Sequence, residues 1–155
     1  MLKKIIVPIL LLLLMSSCGY EAIYSQKNLI NYDFSISELT FIGDRDVNIR
    51  IKQKINNYTL DKKNKSFALK ISSDAEKIVL VKDAAGDPTS FKSTITVKIE
   101  VMMKNNFKNN LQIVESFAYN NNANKFELKK YEREILSNLA VIVTEKLLDK
   151  LSNIQ

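Results

Sequence analysis

The residue types that carry most enzyme chemistry are scarce in this chain of 155 residues. It has no histidine and one cysteine, which excludes histidine-based nucleophilic catalysis, His/Cys zinc sites and disulfides within the chain. Glu132 and Glu134 are two residues apart, so they would point to different helix faces as solvated surface. Asp83 and Asp87 flank a turn, where aspartate commonly caps backbone N–H groups. We therefore expect no enzyme activity, no metal site and no cofactor.

The single cysteine, Cys18, ends a segment with the order of a bacterial secretory signal. Residues 3–15 consist of two lysines and an apolar stretch that is too short to span a bilayer of about 30 Å. Ser16 and Ser17 precede Cys18 and Gly19 follows it, which resembles a lipobox. That resemblance implies cleavage before Cys18 and acylation of this residue, and several acyl chains anchor a protein stably. The alternative for Cys18 is a buried free thiol.

Basic residues outnumber acidic ones by 23 to 17, and some of them gather at two places. Lys82 and Lys92 bracket a predicted turn, while Lys125, Lys129 and Lys130 stand at the start of the last predicted helix. Cations are mildly unfavourable at a helix N-terminus. An exported lipoprotein meets phosphorylated lipid headgroups rather than nucleic acid. We expect no nucleic-acid partner, and these five lysines become candidates for binding lipid phosphates, with a merely solvated lysine face as the alternative.

Hydrophobic periodicity predicts one folded domain after the signal. Residues 1–17 would be the signal peptide, 18–32 a lipidated tether and 33–155 a single domain. The patterns predict these elements: a strand near 34–41, a helix over 45–60 capped by Asp44, a strand over 67–81 with a bulge or bend near Ser73-Asp74, strands over 91–103 and 111–119, and a helix over about 126–152.

Individual patterns predict which faces are buried. In the first strand, Phe34, Ile36 and Glu38 would share one face. The strand over 91–103 alternates most regularly and should be half buried. The two helical stripes that would cover the sheet are Val47, Ile51, Ile55 and Tyr58 in the first helix, and Leu128, Tyr131, Ile135, Leu139, Ile142, Leu147 and Leu151 in the second. Two amphipathic helices and one half-exposed sheet bury each other as two layers, which predicts an α+β sandwich of order β-α-β-β-β-α with a mostly antiparallel sheet.

Several short motifs together resemble the LptE family of lipopolysaccharide-assembly lipoproteins. Residues 18–24 read CGYEAIY and are similar to the family start C-G-[FWY]-x-P-L-Y, with alanine in place of proline. Residues 44–50 are similar to its D-R-x-x-x-L-R motif at the first helix. Residues 118–120 resemble its aromatic-Asn exit from the last strand, and residues 139–151 resemble its closing helix. The motifs occur in the family order over nearly the whole chain after Cys18.

This resemblance implies a role in lipopolysaccharide transport at the outer membrane. It implies a lipoprotein anchored on the periplasmic side, which plugs the LptD β-barrel, supports its assembly and binds lipopolysaccharide. Gly19 is consistent with the outer membrane, because an aspartate at that position is the usual inner-membrane retention signal. Two alternatives stay open from the sequence: a carrier that shields acyl chains in its own cavity, and an adaptor lipoprotein without lipid contact. A large apolar cavity would favour the carrier, and a filled core would favour the plug.

Overall fold

The computed structural model describes residues 32–59, 63–103 and 108–154. The elements in chain order are β1 Ser35–Gly43, α1 Arg45–Ile55, a 3-10 turn Asn56–Thr59, β2 Ser66–Lys82, β3 Pro88–Met103, β4 Lys108–Asn120 and α2 Lys125–Ser152. The predicted α+β class and the order β-α-β-β-β-α are therefore confirmed. Among the helices of these three ranges, none is long and apolar enough to cross a membrane.

The four strands form one mixed sheet in the order β1-β2-β3-β4. β1 and β2 are parallel, since α1 returns the chain to the start of β2 as a crossover connection. The pairs β2–β3 and β3–β4 are antiparallel, so the last three strands form the predicted meander. One face of this sheet belongs to the apolar core together with both helices, and the other face is uncovered.

A bulge in β1 explains why the alternation of this strand is imperfect in the sequence. The register with β2 shifts between Ile36 and Glu38, so one residue is inserted there. Glu38 is exposed and does not share the buried face of Ile36, which makes the predicted placement of Glu38 wrong. After the bulge, Leu39 and Phe41 pack partly buried against the core.

Helix α1 begins as predicted and ends earlier than predicted. The Asp44 Oδ1 atom accepts the main-chain N–H of Val47 at 2.9 Å and caps the helix. Val47, Ile51 and Ile55 form the buried stripe. The prediction that the helix continues past Ile55 is wrong, because two consecutive asparagines follow and asparagine is a poor helix former. The predicted end at residue 60 lies outside the described residues.

Strand β2 runs straight through the position where a bend was predicted. Its pairing with β3 is continuous at Ser73 and Asp74, so the predicted bulge or bend there is wrong, and the two register shifts lie at Leu80 and between Val81 and Lys82 instead. Ser73 is polar for another reason, since it is buried against the start of α1 and its hydroxyl donates to Asn48 Oδ1 at 2.8 Å. The polar interruption in the sequence therefore marks a helix contact and not a bend.

The predicted apolar face of β3 is the centre of the core. Four of its inward side chains are at most 1% exposed: Ile95, Val97, Ile99 and Val101. The helix residues predicted to cover this face are also buried in the same cluster: Ile51, Ile55, Ile135 and Leu139. The predicted burial of these residues is confirmed, and helices pack on the sheet as a second layer. Helix α2 contacts β3 and β4, whereas α1 contacts β1 and β2.

Helix α2 starts one residue before its predicted position, at Lys125, and ends at Ser152. Most of its predicted stripe is buried, but Tyr131 and Ile142 are 43% and 39% exposed, so the prediction is wrong for these two residues. After Leu139 the buried stripe continues with Val143, four residues on, and not with Ile142, three residues on. In a helix of 3.6 residues per turn, a residue four positions away lies closer to the same face than one three positions away.

Candidate lipid-phosphate site

The two lysine groups predicted from the sequence lie at the same end of the sheet. The main-chain N–H of Asn121 donates to the Thr89 carbonyl at 2.8 Å, and its side-chain amide donates to the Pro88 carbonyl at 2.7 Å. These bonds tie the loop that enters α2 to the first residues of β3. We call this region, formed by residues 74–92 of the β2–β3 hairpin and residues 117–131, the hairpin end.

The five candidate lysines share this end but not one face. Lys82 is at the last position of β2, and Lys92 lies between two buried residues of β3, so its side chain is on the uncovered face of the sheet. On α2, Lys125 and Lys129 are four residues apart and lie on one side, while Lys130 is about 100° further around the axis. The structure therefore gathers these cations around one end without making a single pocket of them.

Four lysines of the described chain have an acidic partner there, and the five candidate lysines are not among them. Lys70 and Lys108 both bind Glu100, at 3.1 and 3.3 Å, and these two ion pairs hold the pKa of Glu100 below its ordinary value. Lys77 and Lys146 each pair with a glutamate as well. None of the five candidates forms an ion pair with another residue in the described ranges: Lys82, Lys92, Lys125, Lys129 and Lys130.

The nearest aspartate to Lys82 in the chain is engaged in the turn itself. The Asp83 Oδ1 atom accepts the main-chain N–H groups of Ala85 and Asp87, both at 2.9 Å. This bonding fits the predicted role of aspartate in capping the turn. Lys82 is therefore exposed, and the Oδ1 atom of the neighbouring Asp83 is already hydrogen-bonded to the main chain of the turn.

The hairpin end also exposes apolar side chains. Four consecutive residues of β2, from Ile78 to Val81, are 38–54% exposed. Phe117 and Tyr131 line a shallow groove of about 660 Å³ next to the loop 120–122, and Phe126 is the most exposed of the large apolar residues described. Cationic and apolar groups side by side match a ligand that carries both phosphates and acyl chains.

A partly buried polar network that the sequence did not reveal joins α2 to the sheet here. The Lys77 ammonium donates to Glu132 Oε1 at 2.5 Å and lies 3.9 Å from the centre of the Phe91 ring. The Tyr119 hydroxyl also donates to Glu132 Oε1, at 3.0 Å, and lies 3.3 Å from the Ser93 hydroxyl. Burial raises the pKa of Tyr119, and the neighbouring Glu132 carboxylate adds to the effect.

This network corrects the prediction that Glu132 is solvated surface. Its side chain is only 20% exposed, because Tyr119 and Lys77 cover it. The signal available in the sequence was weak, since Lys77 and Glu132 are 55 positions apart and no local pattern links them. In this network Lys77, unlike Lys82, already has an acidic partner.

The predicted lipidation site lies outside this description. Cys18, the signal segment 1–17 and residues 18–31 of the predicted tether are not among the described residues. Acylation of Cys18 therefore stays a prediction from the sequence.

Fold and surface together define a small α+β protein with a filled core and one cationic, partly apolar end. No family model and no curated protein sequence matches the chain. Its fold is similar to that of rare lipoprotein B from Shewanella oneidensis, with a TM-score of 0.55 and 12% identity over 75% of this chain and 97% of that one.

Two further solved structures share this fold. A minor lipoprotein from Acinetobacter baumannii has a TM-score of 0.56 and 12% identity over 78% of this chain and 91% of that chain. Lipoprotein B from Nitrosomonas europaea has a TM-score of 0.53 and 13% identity over 78% of this chain and 86% of that chain. Identities this low establish the likeness of the fold alone.

Proposed function

We propose that this protein is an outer-membrane lipoprotein of a lipopolysaccharide translocon. In this role it plugs and helps to assemble an LptD-like β-barrel from the periplasmic side, and it binds lipopolysaccharide at the hairpin end. It works by binding and positioning, so no covalent bond of the lipid is made or broken.

The observation that carries the proposal is the hairpin end itself. Lys82 directly follows the exposed run from Ile78 to Val81, and Lys130 lies at the same end of the sheet. The phosphates of lipid A would bind the lysines, and its acyl chains would contact the exposed apolar run. Lysine binds phosphate as a point charge, so it does not need the fixed geometry of an arginine fork.

The filled core favours the plug over the lipid carrier. Side chains from both helices and three strands are fully buried between the layers, among them Ile51, Val97 and Leu147. A carrier needs an apolar cavity for acyl chains at this place. A rigid body with a filled core suits the interior of a barrel instead. The exposed apolar side chains and lysines of the hairpin end favour lipid contact over an adaptor without it.

The proposed anchor rests on the lipobox-like segment, and the likeness to solved lipoproteins supports it. Cys18→Ser should give an unprocessed or unlipidated protein that is lost from the outer membrane. Mass spectrometry of the wild-type protein from membranes should find an acylated N-terminal cysteine. An unmodified Cys18 thiol in the membrane-bound protein would disprove this part of the proposal.

Affinity purification from solubilised outer membrane tests the partnership. A tag after Gln155 leaves the proposed anchor unchanged, and a large β-barrel protein should co-purify. Another outer-membrane lipoprotein, tagged in the same way, is the control for nonspecific capture. Recovery without any β-barrel, or with the same barrel in both samples, would contradict the plug role.

A further inference from the structure

A groove runs between the two helices, on the side of the molecule away from the uncovered sheet face. Helix α1 packs against α2, and the groove between them has a volume of about 320 Å³. Arg50 and Gln53 line it from α1, and Arg133 and Ser137 line it from α2. These residues are three and four positions apart, so one stripe of each helix faces the groove. All four lie outside the hairpin end.

Arginine is rare in this chain, and two of its arginines line this groove. Of the 23 basic residues only three are arginines, at positions 45, 50 and 133. Arginine differs from lysine in its planar fork of N–H donors, which can make two parallel hydrogen bonds to a carboxylate or a phosphate. Its presence on both walls of one groove, at Arg50 and Arg133, therefore indicates recognition of an anion.

Neither arginine has an acidic partner among the described residues. Arg50 and Arg133 are exposed, and neither forms an ion pair there. Asp46 is the one acidic residue in the described lining, and it lies in the first turn of α1, where the helix dipole favours a carboxylate. Two positive charges and one negative charge therefore face the groove, which leaves one positive charge to be neutralised.

This charge balance and the size of the groove favour a carboxylate over a phosphorylated lipid. One carboxylate neutralises the groove, whereas a phosphate monoester carries a charge of about −1.5 to −2 at pH 7 and would be repelled by Asp46. Ile49 and Leu136 give the groove an apolar wall, and Gln53 and Ser137 can both donate and accept hydrogen bonds. Ligand pockets measure roughly 300–1,000 Å³, so this small groove suits protein side chains better than a lipid with several acyl chains.

We propose that the groove binds an acidic side chain of the β-barrel partner, with Arg50 and Arg133 holding its carboxylate. This inference rests on the proposed function, which supplies the barrel. The lumen side of outer-membrane barrels is polar and receives every second side chain of each strand. A carboxylate there would bind between the two arginines and fix the orientation of the plug. Because the groove lies outside the hairpin end, the barrel and lipopolysaccharide can bind at the same time.

Charge reversal tests whether the groove holds the barrel. In the full chain tagged after Gln155, Arg50→Glu with Arg133→Glu should recover at least tenfold less barrel from solubilised outer membrane than wild type does. The matched control, Lys52→Glu with Lys150→Glu, makes the same charge change at exposed positions of the same helices outside the groove. It should recover the barrel like wild type. Circular dichroism and melting should stay unchanged in both variants, since exposed charges contribute little to stability.

The outcomes separate this inference from the proposed function. If the wild-type chain recovers no barrel, both are overturned. If the wild-type chain and the groove variant recover the barrel equally, or if the control loses as much as the groove variant, only the inference is overturned. The groove variant should also bind lipopolysaccharide like wild type. A variant that keeps the barrel and loses lipopolysaccharide would assign the groove to phosphates and overturn the proposal.

Carbodiimide cross-linking tests the carboxylate directly and without charge reversal. Arg50→Lys keeps the positive charge and places an amine in the groove, and the reagent joins an amine to a carboxylate in contact with it. Mass spectrometry of the purified complex should find position 50 joined to an aspartate or glutamate of the barrel. The wild-type chain, with arginine there, is the control without such an amine. Coupling of position 50 only to Asp46, to another copy of this chain or to no carboxylate would overturn the proposal.

Discussion

The two ends of the sheet use the same residue types in opposite ways. At the aromatic end, formed by Tyr32, Phe34, Tyr58 and Phe67, the rings pack with centroids 5.4–5.9 Å apart. Lys65 donates there to main-chain carbonyl oxygens at the end of α2. At the hairpin end, apolar side chains are exposed instead, beside the five candidate lysines.

This difference follows from where β1 stops. Up to Ser73, every part of β2 has a strand on both sides and helices on one face. Beyond it, β2 loses one neighbour and its side chains become exposed. The aromatic end and the middle of the sheet therefore carry the stability, and the hairpin end is available for binding. The predictions below test this division, from the largest expected effect to the smallest.

A charge in the middle of the sheet should have the largest effect. Val97 is fully buried, so Val97→Asp places an unpaired carboxylate in the core and should cost more than about 4 kcal/mol, enough to unfold most of the protein. Val81→Asp at the hairpin end is the matched change, at a residue 54% exposed, and should shift stability by about 0.5 kcal/mol or less. Denaturant unfolding measures both. Similar losses for the two variants would contradict the division.

The junction between the two regions should be the next most sensitive position. Gly43 has φ +94°, and a Cβ atom there would lie 1.9 Å from the Ser73 carbonyl oxygen. Gly43→Ala should therefore lower the free energy of unfolding by about 1–3 kcal/mol through backbone strain, and the clash with Ser73 should lower it further. Gly86 has a similar φ of +88° in open space, so Gly86→Ala should cost only about 1–2 kcal/mol. Equal costs would show that the approach of β1 to β2 is not tight.

The strongest periodic signals predicted the fold, and long-range contacts account for the errors. The alternation around Val97 is regular because β3 is buried on one face along its whole length. In β2, Ser73 looked like a bend because its partner Asn48 is on another element. Glu132 looked solvated because Lys77 and Tyr119 approach it only in the folded chain. Local sequence patterns contain no information about such partners.

The same limit applies to the candidate site. The sequence identified the lysines, and the meander order explains why the two groups lie at one end. Which lysines have acidic partners depends on cross-strand and helix–sheet contacts, as for Lys77 and Lys146. The exposed run from Ile78 to Val81 has the sequence of a buried strand. It is exposed because β1 ends before this part of β2 and because one face of the sheet is uncovered.

A smaller effect is expected from the polar network at the hairpin end. Tyr119→Phe removes the hydroxyl bonded to Glu132 and should lower stability by about 1 kcal/mol at neutral pH. Because the pKa of Tyr119 is raised in the folded state, its contribution is present below pH 10 and is lost as the pH rises above 10. The variant should therefore lose less stability than wild type as the pH rises through this range. Identical pH dependence would show that Tyr119 does not contribute to it.

The smallest effect on stability should come from the candidate lysines themselves. Lys82→Glu with Lys130→Glu reverses two exposed charges and should change the free energy of unfolding by less than about 1 kcal/mol, since exposed charges contribute little. Thermal melting and circular dichroism measure this change. A large loss would mean that these lysines support the fold and are not free for a ligand.

Lipopolysaccharide binding by this double variant tests the central claim most directly. The matched control is Lys54→Glu with Lys150→Glu, which makes the same change of charge in the last turns of α1 and α2, at the aromatic end. Binding to wild type should weaken as salt rises, because screening acts over about 8–10 Å near physiological ionic strength. We expect the hairpin-end variant to bind at least tenfold more weakly and the control to bind like wild type. Unchanged binding by the folded hairpin-end variant, or an equal loss in both, would contradict the assignment of lipopolysaccharide to the hairpin end.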